Sequence, residues 1–122
     1  MIYSCVIKTI DEEEVTIEIG GVEIVCFCNA GIDDNAVDRN VKCELLLYDE
    51  QEITEAKTEE IVGFYRINKS YAYKIVGVLD FDRRILESII KISLDELDIE
   101  DYGYLDGRKV SVIVSRIDVD FM

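Results

Sequence analysis

Residues 15–28, VTIEIGGVEIVCFC, constrain the fold most. Val15, Ile17 and Ile19 alternate with Thr16 and Glu18, and Val22, Ile24, Cys26 and Cys28 repeat the step of two beyond Gly20-Gly21. Alternation with β-branched residues is the signature of a strand. Two adjacent glycines supply the positive φ angles of a tight primed turn. A helix here would carry two glycines in its interior and set Glu18 and Glu23 among its apolar residues. The stretch therefore reads as a β-hairpin. Val25 and Phe27 make the other face of its second arm apolar as well, so that arm is expected to be covered on both sides, in a sandwich or closed barrel.

The same alternation recurs along the chain. Residues 2–10 form a first strand, with Tyr3, Cys5 and Ile7 on one face, followed by the charged turn DEEE. NAGIDDNAVDRN, residues 29–40, is a loop with room for one helical turn. Residues 41–48, VKCELLLY, read as a strand that stops at Asp49-Glu50, and residues 51–60 as a long polar connection. IVGFYRI and YAYKIVGVLDF flank Asn68-Lys69-Ser70 as a second hairpin, with Gly63 and Gly77 marking bulges or bends inside its arms. RRILESIIKISL, residues 83–94, fits a strand or a helix. Its β-branched residues and its neighbours favour a strand. Ser93 is placed to cap a helical turn over residues 94–100, and residues 101–107 read as a loop. In the final strand, residues 109–119, Val110, Val112, Val114, Arg116 and Asp118 share one parity, and Ser111, Ile113, Ser115, Ile117 and Val119 the other.

About eight short strands with turn signals between them and no proline predict an all-β fold with at most one short helix: a single-domain antiparallel barrel or sandwich. The 122 residues suffice for one domain, 1–122, and not two. No apolar run approaches the ~20 residues of a membrane helix. MIYSCVIKTIDEEE has no basic segment ahead of its apolar run, so it does not read as a signal peptide. The expected compartment is the cytoplasm, with cysteines reduced.

Charge is the second constraint. The formal net charge is −14. Residues 1–60 hold sixteen acidic and four basic residues, a net of −12, while residues 61–122 hold eleven and nine, a net of −2. Such a field repels nucleic acid and anionic lipid and attracts basic partners. It also keeps a small domain dispersed. The carboxylates that mark a partner surface are Asp33, Asp34, Asp49, Glu50, Glu52, Glu59 and Glu60. An alternative ligand face gathers cations and aromatics about the second hairpin: Tyr65, Arg66, Lys69, Tyr71, Tyr73 and Lys74. Tyr71 and Tyr73 share a parity, as in proteins that stack single-stranded bases, although rim packing accounts for the same residues.

Chemistry is harder to find. Histidine is absent, so the commonest general base is missing. Cys5, Cys26, Cys28 and Cys43 lack the paired knuckles of a structural zinc site and read as small buried hydrophobes. The acidic segment DELDIEDYG lacks the ligand spacing of a calcium loop. No phosphate-binding or nucleophile motif is present. No enzyme, cofactor or metal is expected.

Three features together resemble the OB-like barrels of small bacterial proteins: short strands with inward alternation, the interior glycine of YAYKIVGVLDF, and the closing strand VSVIVSRIDV. The likeness spans residues 15–119. It implies a binding module for oligomeric ligands or proteins. OB barrels generally have five strands and this chain has more, which leaves a sandwich or an elaborated barrel open. Its acidity departs from the nucleic-acid-binding members. In size and charge the chain also resembles bacterial immunity proteins and nuclease inhibitors, which meet a basic toxin with carboxylates. The leading expectation is a non-enzymatic protein-binding module for a basic partner. The alternatives are an assembly subunit that self-associates through β edges, and an oligonucleotide-binding domain.

Overall fold

The computed structural model describes residues 1–122. β1 (Ile2–Asp11), β2 (Glu14–Ile19) and β3 (Val22–Phe27) form an antiparallel meander. After a short 3-10 turn at Asp34–Ala36, β4 (Asn40–Glu55) returns beside β1. An insertion follows, comprising β5 (Gly63–Arg66), β6 (Tyr73–Asp80), β7 (Ile85–Glu87), β8 (Lys91–Ser93) and a 3-10 turn at Glu100–Leu105. β9 (Lys109–Phe121) then lies antiparallel to β4 and meets β3 in parallel at Phe27 and Asp118. That last pairing closes β1, β2, β3, β9 and β4 into a five-stranded barrel. The order is compatible with an OB-like barrel, so the choice between barrel and sandwich resolves as a barrel with extra strands.

The β2–β3 hairpin forms as its alternation requires. Ile17 faces Ile24 and Val15 faces Cys26, all fully buried. Gly20 and Gly21 both have positive φ, 55° and 81°. Gly20 is needed for a second reason: a Cβ there would lie 2.8 Å from Cγ2 of Ile90, at the tip of the β7–β8 hairpin.

Three sequence expectations need correction. Residues 51–60 are not one long connection, because β4 continues to Glu55 by pairing with β9, with Ile53 opposite Val112. One extra residue between Glu50 and Glu52 shifts the register there, and Asp49 adopts a φ of 60°. Residues 51–55 hold one apolar residue, Ile53, and so show no period, and only their partner makes them a strand. Residues 83–94 are strand, as favoured, but fold into two three-residue strands turned at Ser88, whose Oγ donates to the Val76 carbonyl at 2.7 Å. The turn expected after Ser93 is displaced. Ser93 Oγ accepts the Asp95 N–H at 3.2 Å, and the 3-10 turn falls instead at Glu100–Leu105, which had read as loop. Gly77 marks a close approach: a Cβ there would lie 2.7 Å from the Glu87 carbonyl oxygen.

Both parities of β9 are used, at different ends. Val110, Val112 and Val114 are buried, then Ile117 and Val119. The register with β4 is regular from Val114 to Phe121. Strict alternation therefore turns Val114 and Ile117 to opposite faces. One face packs under the insertion, where Tyr73 and Ile75 stand opposite Val114 and Val112. The other packs into the barrel. The insertion belts the barrel through Tyr73 to Val25, Ile90 to Gly20, the Lys91 carbonyl to the Tyr3 hydroxyl, and the Asp98 N–H to Glu50.

Candidate functional site

The outer face of the β4–β9 ladder brings apolar, aromatic and charged side chains together. Leu46 stands opposite Asp118, and Tyr48 opposite Arg116. Alternation puts all four on the face turned away from the barrel interior, where Leu45 and Leu47 are buried. The Arg116 guanidinium lies 4.3 Å from the Phe27 ring centroid and 4.4 Å from that of Tyr48, a cation held between two rings. It is fixed there by two hydrogen bonds to the Asp118 carboxylate, 2.7 and 3.3 Å. Tyr71 meets Phe27 edge-on at 5.6 Å.

Beside this stack opens a groove of about 480 Å³ that brings together Leu46, Tyr48, Asp49, Glu50, Glu96 and Asp118. The β4 bulge positions its first two acids. Asp49 accepts a hydrogen bond from the Ser115 hydroxyl at 2.9 Å, and Glu50 accepts the Asp98 N–H at 3.1 Å. The second bond ties residues 94–99 to β4 and brings Glu96 to the rim. Tyr48 is about half exposed. The groove thus offers carboxylates on two sides and an aromatic edge, which is chemistry for a cation, and it contains no nucleophile–base pair.

The seven carboxylates singled out in the sequence do not form one surface. Asp33 caps the 3-10 turn by accepting the Asn35 N–H at 2.9 Å. Asp34 lines a separate hollow with Glu12 and Glu13. Glu59 and Glu60 line a third with Ile61, Tyr65 and Lys74. Glu60 is ion-paired with Lys74 and accepts the Lys57 N–H, and the Lys74 hydrogen bond first of all holds its carboxyl below the usual range. Glu52 is exposed at the bulge, outside the groove. Only Asp49 and Glu50 meet at the groove. Their companions Glu96 and Asp118 come from the nearly neutral half of the chain. A signal for Asp118 was present in β9, where valines at 110, 112 and 114 give way at the same parity to Arg116, Asp118 and Asp120, while nothing local marked Glu96.

The tyrosine and cation set is divided: Tyr73 is buried, Tyr71 and Lys74 are partly buried, and Tyr65, Arg66 and Lys69 are exposed. Tyr73 is buried, its hydroxyl accepting the Val25 N–H at 2.8 Å, and burial raises its pKa. Tyr71 lies against Phe27. Arg66 donates to the Ser70 and Lys69 carbonyls, 2.8 and 3.1 Å, and sits 3.5 Å from Glu14. Tyr65 donates to the Ile61 carbonyl at 2.6 Å. Lys69 is exposed at the turn. Tyr71 lies just ahead of β6 and is partly buried, so only Tyr73 is wholly covered.

The four thiols are buried and unpaired. Burial pushes all four pKa values up, that of Cys43 to about 12 with a further contribution from neighbouring Cys5. No group of three or more Cys, Asp or Glu side chains is arranged to hold a metal ion. No helix is long and apolar enough to cross a membrane.

A family model described as Uncharacterised conserved protein UCP019853 matches residues 1–122. The chain belongs to that family. No curated protein and no solved structure matches it. The family description names no ligand, so the reading of the groove rests on its own geometry.

Proposed function

We propose that this protein is a non-enzymatic protein-binding module whose acidic groove receives basic side chains of a partner. One observation carries the reading: Asp49, Glu50, Glu96 and Asp118, drawn from three separate stretches of sequence, converge on one groove beside Tyr48. The nearest cation, Arg116, is already committed to Asp118 and two rings. The remaining negative field is left for an incoming charge, which it steers and orients. An immunity or inhibitor role against a basic enzyme is the concrete form of this proposal. Four unpaired thiols inside one barrel suit a reducing compartment such as the cytoplasm.

The alternatives draw less support. Assembly through β edges meets edges that are short, three residues in β8 and four in β5. Base stacking on Tyr71 and Tyr73 would need a face that Phe27 and Val25 already occupy. The test is capture from a native lysate at low and high salt, with the wild-type chain and an Asp49→Asn/Glu50→Gln/Glu96→Gln variant. A partner lost with salt and lost with the variant supports the reading. A partner held equally by both proteins, or no partner at all, counts against it.

A further inference from the structure

We infer that the barrel is built to open along one seam, between β3 and β9, and that the β5–β6 hairpin is the strap that holds this seam shut.

The backbone leaves the seam almost unjoined. The other four pairs of neighbours in the barrel share between five and eleven register pairs each, whereas β3 and β9 share one, Phe27 with Asp118. The cause lies in β9. One of its edges pairs with β4 from Val110 to Phe121. The other edge is divided: β6 takes it from Lys109 to Val114, and β3 reaches it only at Asp118. Beyond that pair, on the Val119 side, lies a hollow of about 260 Å³ lined by Phe27, Asn29, Ala30, Val119 and Asp120 among others. On the other side, Val25 gives its N–H to the Tyr73 hydroxyl and not to β9. Cys28 donates its own N–H away from the seam, to the Glu13 carbonyl just ahead of β2. N–H groups alternate along a strand, so those of Val25 and Phe27 both point at the seam.

The strap closes it with side chains. Tyr73 bonds Val25, and Tyr71 packs edge-on against Phe27 at 5.6 Å. Arg66, opposite Tyr73 in the β5–β6 register, lies 3.5 Å from Glu14. Glu14 and Phe27 are themselves partners in the β2–β3 ladder, so the grip falls on both strands of that hairpin. β5 pairs with β6 alone, which leaves the strap hinged on a single strand. Arg66 is exposed and Tyr71 partly so, and contacts of that kind are individually weak. Opening the seam breaks one register pair and these side-chain contacts, and it leaves the longer ladders whole. A region joined in this way opens at a lower free energy than the rest of the fold.

Native-state hydrogen exchange across low urea concentrations, read amide by amide by NMR, tests this. Val25 and Phe27 are expected to exchange at least about tenfold faster than the bonded amides of the β4–β9 ladder, with a smaller urea slope because less surface is exposed. Tyr71→Ala leaves the Tyr73 hydroxyl in place and should speed exchange at both positions about fivefold. Arg66→Gln, at the exposed end of the strap, should act in the same direction. Circular dichroism checks that both variants fold. Val25 and Phe27 amides that share the exchange free energy and urea slope of the β4–β9 ladder overturn the inference. Exchange at Val25 that neither variant alters overturns it as well.

Discussion

The Tyr73 hydroxyl accepts the backbone N–H of Val25 at 2.8 Å, joining the inserted β6 to the third barrel strand. β3 and β9 share only one register pair, at Phe27 and Asp118. The tyrosine therefore satisfies a strand amide beyond the point where the barrel ladder ends. Tyr73→Phe keeps the ring and removes the acceptor, leaving the part-buried amide unpaired. It is expected to cost about 1–2 kcal/mol. Urea denaturation measures it, and unchanged stability would mean that water replaces the hydroxyl.

The two turn glycines should differ. Gly21→Ala meets nothing within 4 Å and suffers only from its φ of 81°, a penalty of about 1–2 kcal/mol. Gly20→Ala adds a 2.8 Å contact with Ile90 and should be worse. Ile90→Ala in the same chain should recover part of the excess, and a double-mutant cycle reads that coupling. Equal costs at both glycines would show that the β7–β8 tip does not press on this turn.

Arg116→Lys keeps the charge and loses both the planar stack between Phe27 and Tyr48 and the forked bond to Asp118. A loss of about 1 kcal/mol is expected. Thermal unfolding at matched pH measures it, and a silent substitution would leave the guanidinium plane without a role in stability.

Tyr3 and Cys43 both have their pKa raised to about 12, in each case chiefly by burial. Above the ordinary thiol range the unfolded chain gives up protons that the folded chain keeps. Stability is therefore fully present below about pH 8.5 and falls as pH rises towards 12. Urea titrations at pH 7, 9 and 10.5 should show a steady decline. A thiol reagent at pH 8 should find few of the four cysteines in the folded protein and all four in denaturant. Constant stability, or rapid labelling of the folded protein, would contradict the burial assigned to them.

Much of the barrel was legible because one-sided burial writes its own period. Val15, Ile17, Ile24 and Cys26 had to face inward whatever their partners, and Gly20-Gly21 had to turn. Residues 51–55 were not legible. EITE becomes strand through its ladder with β9, and hydrogen bonds to a distant segment leave no mark on local composition. β9 showed valines at 110, 112 and 114 on one parity and isoleucine and valine at 117 and 119 on the other, without showing that the buried face changes along the strand. The groove was half visible. Asp49 and Glu50 stood out in an acidic stretch, but proximity to Glu96 and Asp118 arises only when the insertion folds back along β4.

The order of residues by itself determined that this chain would be curled β-sheet with carboxylates outside, since alternation fixes which side chains leave water and charge stays in it. Tertiary structure alone decided that the insertion belts the barrel, that Tyr73 is buried against β3, and that four acids from three stretches meet in one groove. Those relationships join residues far apart along the chain, and the loop closure that brings them together is favoured by the sum of many contacts rather than by any local pattern.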